Sequence, residues 1–369
     1  MQNLGVIVLI NNETEKTDKT VLAVIMPVYI GEKYIEQAVY SVLNQPCKDL
    51  IIIIVNDGST DNTKEILREL NNEDDRLIIL EQSNKGLAVA RNSAIEYCNS
   101  FLNPKYIAFL DSDDAWVKNF YTEDLKKCIL EDNKDFYRFE YFYSDQKLLR
   151  GKLVSSYTEK DDCSIVQRSF INQLFWSYIY SNEVIKKYGI RFPEGITAED
   201  YAFQYLFYSF STSCKSIKKQ MYVYRNNDNS ITHKKKFPFE IFFNNKIPGW
   251  VYVVNNIEEK QGRKEHIIDA KSMIKIDLVK YIMSALAQGV KKQEVKKCLN
   301  NCKYSIYLSD DKIWIDNKHE KIYKEFLKSP NKLCIKLRMK QFLLSFAKKF
   351  RNTKIVIRMR YPIDVSDLV

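Results

Sequence analysis

Residues 105–116 read KYIAFLDSDDAW, an apolar run (Tyr106, Ile107, Ala108, Phe109, Leu110) that stops abruptly at Asp111, Ser112, Asp113 and Asp114. That is the pattern of a buried strand ending at a cluster of acids. Uncompensated buried carboxylates are costly, and like charges this close repel, so the cluster makes sense chiefly beside something cationic. A divalent ion such as Mg²⁺ or Mn²⁺ suits carboxylate oxygens and takes its remaining ligands from water and substrate phosphates. DSDD alone fits a solvated acidic turn equally well, since Asp and Ser favour turns.

Upstream, the same strand-then-polar-exit pattern recurs. VLAVIMPV (21–28) predicts a buried strand and EKYIEQAVYSVLNQ (32–45) a helix with Ile35, Val39 and Val42 or Leu43 on one face. LIIIIVND (50–57) is a second strand, and STDNTKEILRELNN (59–72) opens with turn and capping residues before Ile66, Leu67 and Leu70 supply an apolar face. RLIILEQ (76–82) and GLAVARNSAIEYCNS (86–100) repeat the alternation, and YIAFLD is the fourth strand. Such alternation predicts an α/β fold of right-handed βαβ units around a mainly parallel, Rossmann-like sheet.

Open sheets of this kind bind ligands at the carboxyl ends of their strands. The polar exits fall there: Pro27, Val28 and Tyr29; Asn56, Asp57, Gly58 and Ser59; Asn84, Lys85 and Gly86; and DSDD. On one rim they form a candidate pocket. The fingerprints GxGxxG and GxxxxGK[ST] do not occur, which argues against a dinucleotide-binding or P-loop enzyme.

Beyond residue 115 the alternation loosens. Residues 117–131 predict a helix, DFYRFEYFY (135–143) an extended aromatic segment, and SNEVIKKYG (181–189) a short helix closed by Gly189. In FPEGITAEDYAFQYLFYSF (192–210), Glu199 and Asp200 open an aromatic helix, where the dipole favours carboxylates. KSIKKQMYVYR (215–225) is a further strand, followed by NNDNSITH with His233. Taken singly, the two acids are ordinary first-turn residues and a loop histidine is ordinarily solvent-exposed.

A chain of 369 residues, 45% hydrophobic, is long enough for two domains with a large core. Its eight cysteines are scattered without a CxxC pair, which predicts reduced thiols in a cytosolic protein and no zinc site at Cys298 and Cys302. The apolar stretch Leu4–Ile10 lacks the basic start of a secretory signal, and no run approaches the roughly 18 residues that cross a bilayer. The net charge of +10 is uneven: residues 236–369 carry +14 and residues 1–235 carry −4.

Together, VIMPVYIGEKYIEQAVYSVLNQ, IIIVNDGSTDNT, NKGLAVARNSAI, YIAFLDSDDAW, RFPEGITAEDYAF and YRNNDNSITH resemble, in order and spacing, a family 2 glycosyltransferase of the GT-A type, of the bacterial surface-polysaccharide class. The resemblance covers roughly residues 21–235 and implies an N-terminal extension (1–20), a GT-A nucleotide-sugar-binding catalytic domain (21–235) and a basic, mainly helical C-terminal region (236–369). One departure is Ile30, where the family usually has Asn after PVY.

The resemblance implies that Pro27, Val28, Tyr29 and Glu32 line the nucleotide pocket, that Asp57 accepts a hydrogen bond from the base, most plausibly uracil, and that Gly86 and Arg91 lie near the diphosphate or base. Ser112 belongs to the same donor-binding set. Asp111 is expected beside the ribose or behind the metal, and Asp113 on Mn²⁺ or Mg²⁺ directly, with His233 near the metal or diphosphate. Asp114 is left between metal and sugar. Asp200 is the implied general base, which means a single inverting displacement, and Glu199 supports it or touches the acceptor. Trp116 and Trp176 are candidates for a sugar-facing ring or for core. The implied partners are a UDP-sugar donor and a glycan or lipid-linked acceptor.

Residues 331–360 contain ten Lys or Arg and no acid, interleaved with apolar residues, which favours peripheral contact with the anionic inner face of the cell membrane over packing on the catalytic domain or a partner. No nucleic-acid recognition motif accompanies this charge. Two other readings stand beside the transferase. A non-catalytic nucleotide-binding scaffold leaves DSDD and Glu199–Asp200 without a chemical purpose, and a nucleotidyltransferase calls for an early Gly-rich phosphate loop that is absent.

Overall fold

The computed structural model describes residues 7–9, 20–148, 150–154, 175–196, 199–226, 238–308, 317–333, 335–337 and 363–364. They divide into two compact units. The first comprises Met1–Gly195, Phe210–His233 and Arg360–Val369, and the second Ile196–Ser209 and Lys234–Met359.

In the first unit, β2 (Leu22–Val28) and β3 (Leu50–Asp57) are buried along their whole length, which is why both read as unbroken apolar runs. β3 pairs parallel with β2 on one side and with β4 (Leu77–Gln82) on the other, and β2 pairs parallel with β5 (Tyr106–Phe109). Helices α1 (Ile35–Leu43), α2 (Thr63–Glu73) and α3 (Leu87–Tyr97) make the crossovers. α1 buries Ile35, Ala38, Val39, Val42 and Leu43, the apolar stripe that a 3.6-residue period brings to one face. A short strand β1 (Ile7–Leu9), which the sequence pattern does not announce, pairs antiparallel with β4.

Past β5 the sheet becomes mixed. β6 (Ala115–Trp116) follows β5 through the acid turn alone, too short a link for a parallel crossover, and pairs antiparallel with β10 (Cys214–Arg225). β9 (Tyr178–Ser181) lies antiparallel between β5 and β7 (Phe136–Ser144), and β10 runs parallel to β7. The order is β1-β4-β3-β2-β5-β9-β7-β10-β6, with β8 (Arg150–Val154) on β7 and β11 (Ile363–Asp364) on β8.

The helix expected over 117–131 begins later, as α4 (Glu123–Asp132). Thr122 caps it by accepting from the Leu125 N–H at 3.2 Å, while Val117 donates its N–H to Met221 of β10 at 2.8 Å and so belongs to the sheet. The helix expected after Ser181 is α5 (Asn182–Lys187), and Gly189 beyond it takes a left-handed φ of 55°.

Helix α6 (Glu199–Phe210) lies within the span that the sequence reading gives to the catalytic domain. All but its last residue belong to the second unit, because its aromatic face has its partners there. Tyr201 and Tyr205 pack against Trp250 of α7 (Ile247–Glu259), with ring centroids 4.9 and 5.1 Å apart. A Cβ on Gly249 would lie 2.0 Å from the Tyr201 hydroxyl oxygen, so only glycine allows this approach. Trp250 Nε1 donates to Asp277 of α8 (Lys264–Ala287) at 3.2 Å. Among the described residues no helix is long and apolar enough to cross a membrane, and six cysteines, Cys47, Cys98, Cys128, Cys214, Cys298 and Cys302, are free thiols.

His266 of α8 is 1% exposed, and burial, with the charge of Arg263, lowers its imidazole from 6.5 to about 4. The unfolded chain binds a proton there near 6.5 while the folded chain does so only near 4, so this contribution is complete above 6.5 and is lost as the pH falls towards 4. Replacing His266 by Phe is expected to remove up to about 3 kcal/mol of the acid-induced loss of stability over that window. Denaturant unfolding at a series of pH values measures it, and coincident pH profiles for the two proteins would refute a neutral buried imidazole.

Candidate active site

In the first unit the polar strand exits meet as the topology requires. β2 ends in buried Pro27 and Val28, after which Tyr29 and Ile30 are 50% and 53% exposed. The following loop is tied to the one after β3: the N–H groups of Ile30, Gly31 and Glu32 donate to Ser59 Oγ, Thr63 Oγ1 and Asp61 Oδ2 at 3.0, 2.8 and 3.0 Å. Glu32 replies by accepting from the Asn62 N–H at 3.0 Å. Ile30 has φ 55°, a left-handed conformation that strains a β-branched residue and that Asn tolerates.

Asp57, at the end of β3, is 3% exposed. Its oxygens accept from Gln82 Nε2 at 2.7 Å and from the Lys85 and Gly86 N–H groups at 2.8 Å each. It therefore moulds the loop between β4 and α3. Gly58 (φ 73°) makes the close approach possible, since a Cβ there would lie 2.7 Å from the Asn84 nitrogen. Gly86 (φ 90°) turns the chain into α3.

Arg91 of α3 is 2% exposed, with its guanidinium 4.5 Å from the Phe175 ring centroid and its Nη2 donating to Asp111 Oδ1 at 2.7 Å. The cationic fork that the resemblance places near the diphosphate or base donates to Asp111 and neutralises one member of the acid cluster. The next residue, Asn92, donates to the Phe192 carbonyl at 2.9 Å and to Glu194 Oε1 at 3.1 Å, and accepts from the Phe192 N–H at 2.9 Å. α3 thus holds both the acid turn and the PEG segment.

Within the turn, Ser112 and Asp113 are half-exposed. Asp114 is 1% exposed, its Oδ2 accepting from the Tyr222 hydroxyl at 2.6 Å and its Oδ1 from the Arg225 N–H at 2.7 Å. Burial, then the charges of Asp113 and Asp111, push its carboxyl far above the ordinary range. Both oxygens of Asp114, which the sequence reading left between metal and sugar, accept from β10. Among the described residues no three His, Cys, Asp or Glu side chains group as a metal site. The donor chemistry still fits Mn²⁺ or Mg²⁺: such ions need only one or two protein carboxylates beside phosphate and water, and Asp113 with the second oxygen of Asp111 meets that requirement.

Glu199 and Asp200 open α6 in the second unit; Glu199 is buried, while half-exposed Asp200 accepts from the Tyr201 N–H at 2.8 Å. Trp116 and Trp176 are core, 0% and 2% exposed, and Trp176 stacks on Tyr222 at 3.8 Å. His233 lies outside the described residues, as does 331–360 apart from 331–333 and 335–337. The sequence reading missed Tyr222 and Arg225 as site residues. Their only signal is position, at the end of a strand pattern.

A family model described as glycosyl transferase family 2 matches residues 23–209. The chain belongs to this family. It is 32% identical over 217 residues to the glycosyltransferase GlyA of Streptococcus pneumoniae, covering 55% of this chain and 30% of that protein. It is 27% identical over 220 residues to EpsJ, an uncharacterized glycosyltransferase of Bacillus subtilis, covering 57% and 62%. The chain therefore spans less than two thirds of these relatives. A crystal structure of residues 1–349 of S. aureus TarS in complex with UDP-GlcNAc shares the fold, with TM-score 0.64, 17% identity and coverage of 88% of this chain and 92% of that one. Like that neighbour, this family 2 chain has a GT-A-like fold with C-terminal helices.

Asp57→Ala strands Gln82 Nε2 and two N–H groups of the β4–α3 loop, and a loss of about 2–4 kcal/mol is expected in denaturant unfolding. A loss below about 0.5 kcal/mol would show that the carboxylate does not hold the loop.

Proposed function

We propose that the protein is an inverting glycosyltransferase that moves a hexose or N-acetylhexosamine from a UDP-sugar to a hydroxyl of a glycan or lipid-linked acceptor in bacterial surface-polysaccharide synthesis. The observation that carries this reading is the acid turn at the carboxyl end of β5, beside the exits of β2 and β3, in a chain of this family.

Pro27, Val28, Tyr29 and Glu32 line the nucleotide side, and Asp57 and Gly86 shape the loop that meets the base. Arg91 orients Asp111 towards the ribose. Asp113 with Asp111, and His233, would hold Mn²⁺ or Mg²⁺, which when bound would supply Lewis-acid neutralisation of the charge developing on the diphosphate. Asp200 takes the proton of the acceptor hydroxyl as its oxygen bonds to the anomeric carbon. The bond from that carbon to the β-phosphate oxygen breaks on the opposite face, UDP leaves, and the configuration inverts. Glu199, beside it and buried, supports Asp200 or touches the acceptor. The protein acts in the cytoplasm, and the charge of 331–360 supports peripheral attachment to the inner face of the membrane.

Purified protein offered a panel of nucleotide sugars with Mn²⁺ or Mg²⁺ is expected to release UDP from one UDP-sugar, with loss of release on chelation. Asp113→Ala and Asp200→Asn should each lower transfer by at least about 10²-fold while leaving the melting temperature within a few degrees. Full turnover in both variants would refute the assignment, and UDP binding without release from any donor would favour a scaffold.

A further inference from the structure

The acid turn is built from outside itself. β10 reaches it at three residues. The Tyr222 hydroxyl accepts from the Asp111 N–H at 3.1 Å and donates to Asp114 at 2.6 Å, so one oxygen bridges the first and last residues of the turn. Arg225 Nε donates to the Asp113 carbonyl at 2.5 Å while its own N–H holds Asp114. The register is enforced next door, where Tyr222 pairs with Trp116 and Val223 with Ala115.

Arg225 is 4% exposed and acts as a hub. Its Nη1 donates to the Gln146 carbonyl at 2.8 Å, its Nη2 to Gln37 Oε1 at 2.6 Å, and its guanidinium lies 4.3 Å from the Tyr34 ring centroid. One buried side chain thus ties the start of α1, on the nucleotide side of the rim, to the backbone of Asp113. Neither residue presents a group to the solvent side of the turn, so neither is a catalytic residue.

We propose that Tyr222 and Arg225 are positioning residues that fix the Asp113 carboxylate for a divalent cation and couple it to the loop after β2. The proposal rests on the reading of the acid turn as a metal–diphosphate site. Side chains that orient metal ligands typically contribute 10- to 100-fold to metal affinity, through geometry and charge rather than contact with the ion. Tyr222 suits a clean test, because Phe keeps the ring stacked on Trp176 and deletes only the bridging hydroxyl.

The test is direct Mn²⁺ titration of the full chain in the presence of UDP, following the electron paramagnetic resonance signal of free Mn²⁺, together with UDP binding in chelator and a thermal melt for each variant. Tyr222→Phe and Arg225→Met are expected to raise the Mn²⁺ dissociation constant at least about tenfold while the proteins stay folded, and Arg225→Lys to recover part of the loss. Metal-free UDP binding should change little in Tyr222→Phe and fall in Arg225→Met, which also releases Tyr34 and Gln37. Variants that melt earlier yet bind Mn²⁺ as the wild type does would overturn the proposal and leave the site reading intact. A wild-type protein that binds UDP but gains no Mn²⁺ affinity, or an Asp113→Ala variant that keeps it, would overturn the site reading and this proposal with it.

Discussion

The carboxylate of Asp114 is buried at the point where β5 ends, and the arrangement around it follows from the need to supply its donors. A side chain 1% exposed has no water to turn to, so protein groups must meet both oxygens. The Tyr222 hydroxyl and the Arg225 N–H do so, and both come from β10, more than a hundred residues downstream of the turn. This demand fits the pairing of β6 with β10 and the buried position of Arg225, whose guanidinium also serves Gln37, Gln146 and the Asp113 carbonyl.

With Asp114 consumed and Asp111 balanced by Arg91, the acid cluster is far less repulsive than DSDD suggests on paper. The three carboxylates have separate fates: one pairs with a buried guanidinium, one is hydrogen-bonded into the sheet, and one sits half-exposed on a turn whose backbone is clamped. Removing the partner of a buried charge usually costs more than the pair contributes, so Arg91 and Asp111 constrain each other strongly. Asp57 follows the same logic at the end of β3, where three donors spend a carboxylate on shaping a loop.

The legible part of the fold is where burial on both faces leaves no choice of period. β2 and β3 read as continuous apolar runs because neither face meets water, β4 does so as far as Leu80, and α1 and α2 show their inner faces at helical spacing. Local sequence fails where partners are remote. Val117 to Phe120 look like the start of a helix, yet Val117 is held by Met221. α6 is aromatic all round, so nothing local tells that Tyr201 and Tyr205 belong with Trp250. At the site, the order of acids was legible but not their division of labour, since Asp113 and Asp114 are one residue apart and only burial separates them. Tyr222 is one of 24 tyrosines, and its role exists only through the pairing of β10 with β6.

Ile30 shows how the rim holds strain beside this order. A β-branched residue at φ 55° costs about 1–3 kcal/mol relative to a relaxed backbone, and no side-chain hydrogen bond of its own offsets it as Asn would arrange. The compensation is external: Ser59, Thr63 and Asp61 accept from three successive N–H groups of the loop, and Glu32 locks it back onto Asn62. With those acceptors fixed by α2 and the end of β3, the backbone of Ile30 is over-determined, and the side chain is free to vary without unmaking the loop. The exposed apolar pair of Tyr29 and Ile30 is therefore a place where the family's usual polar residue can be exchanged while the rim keeps its shape.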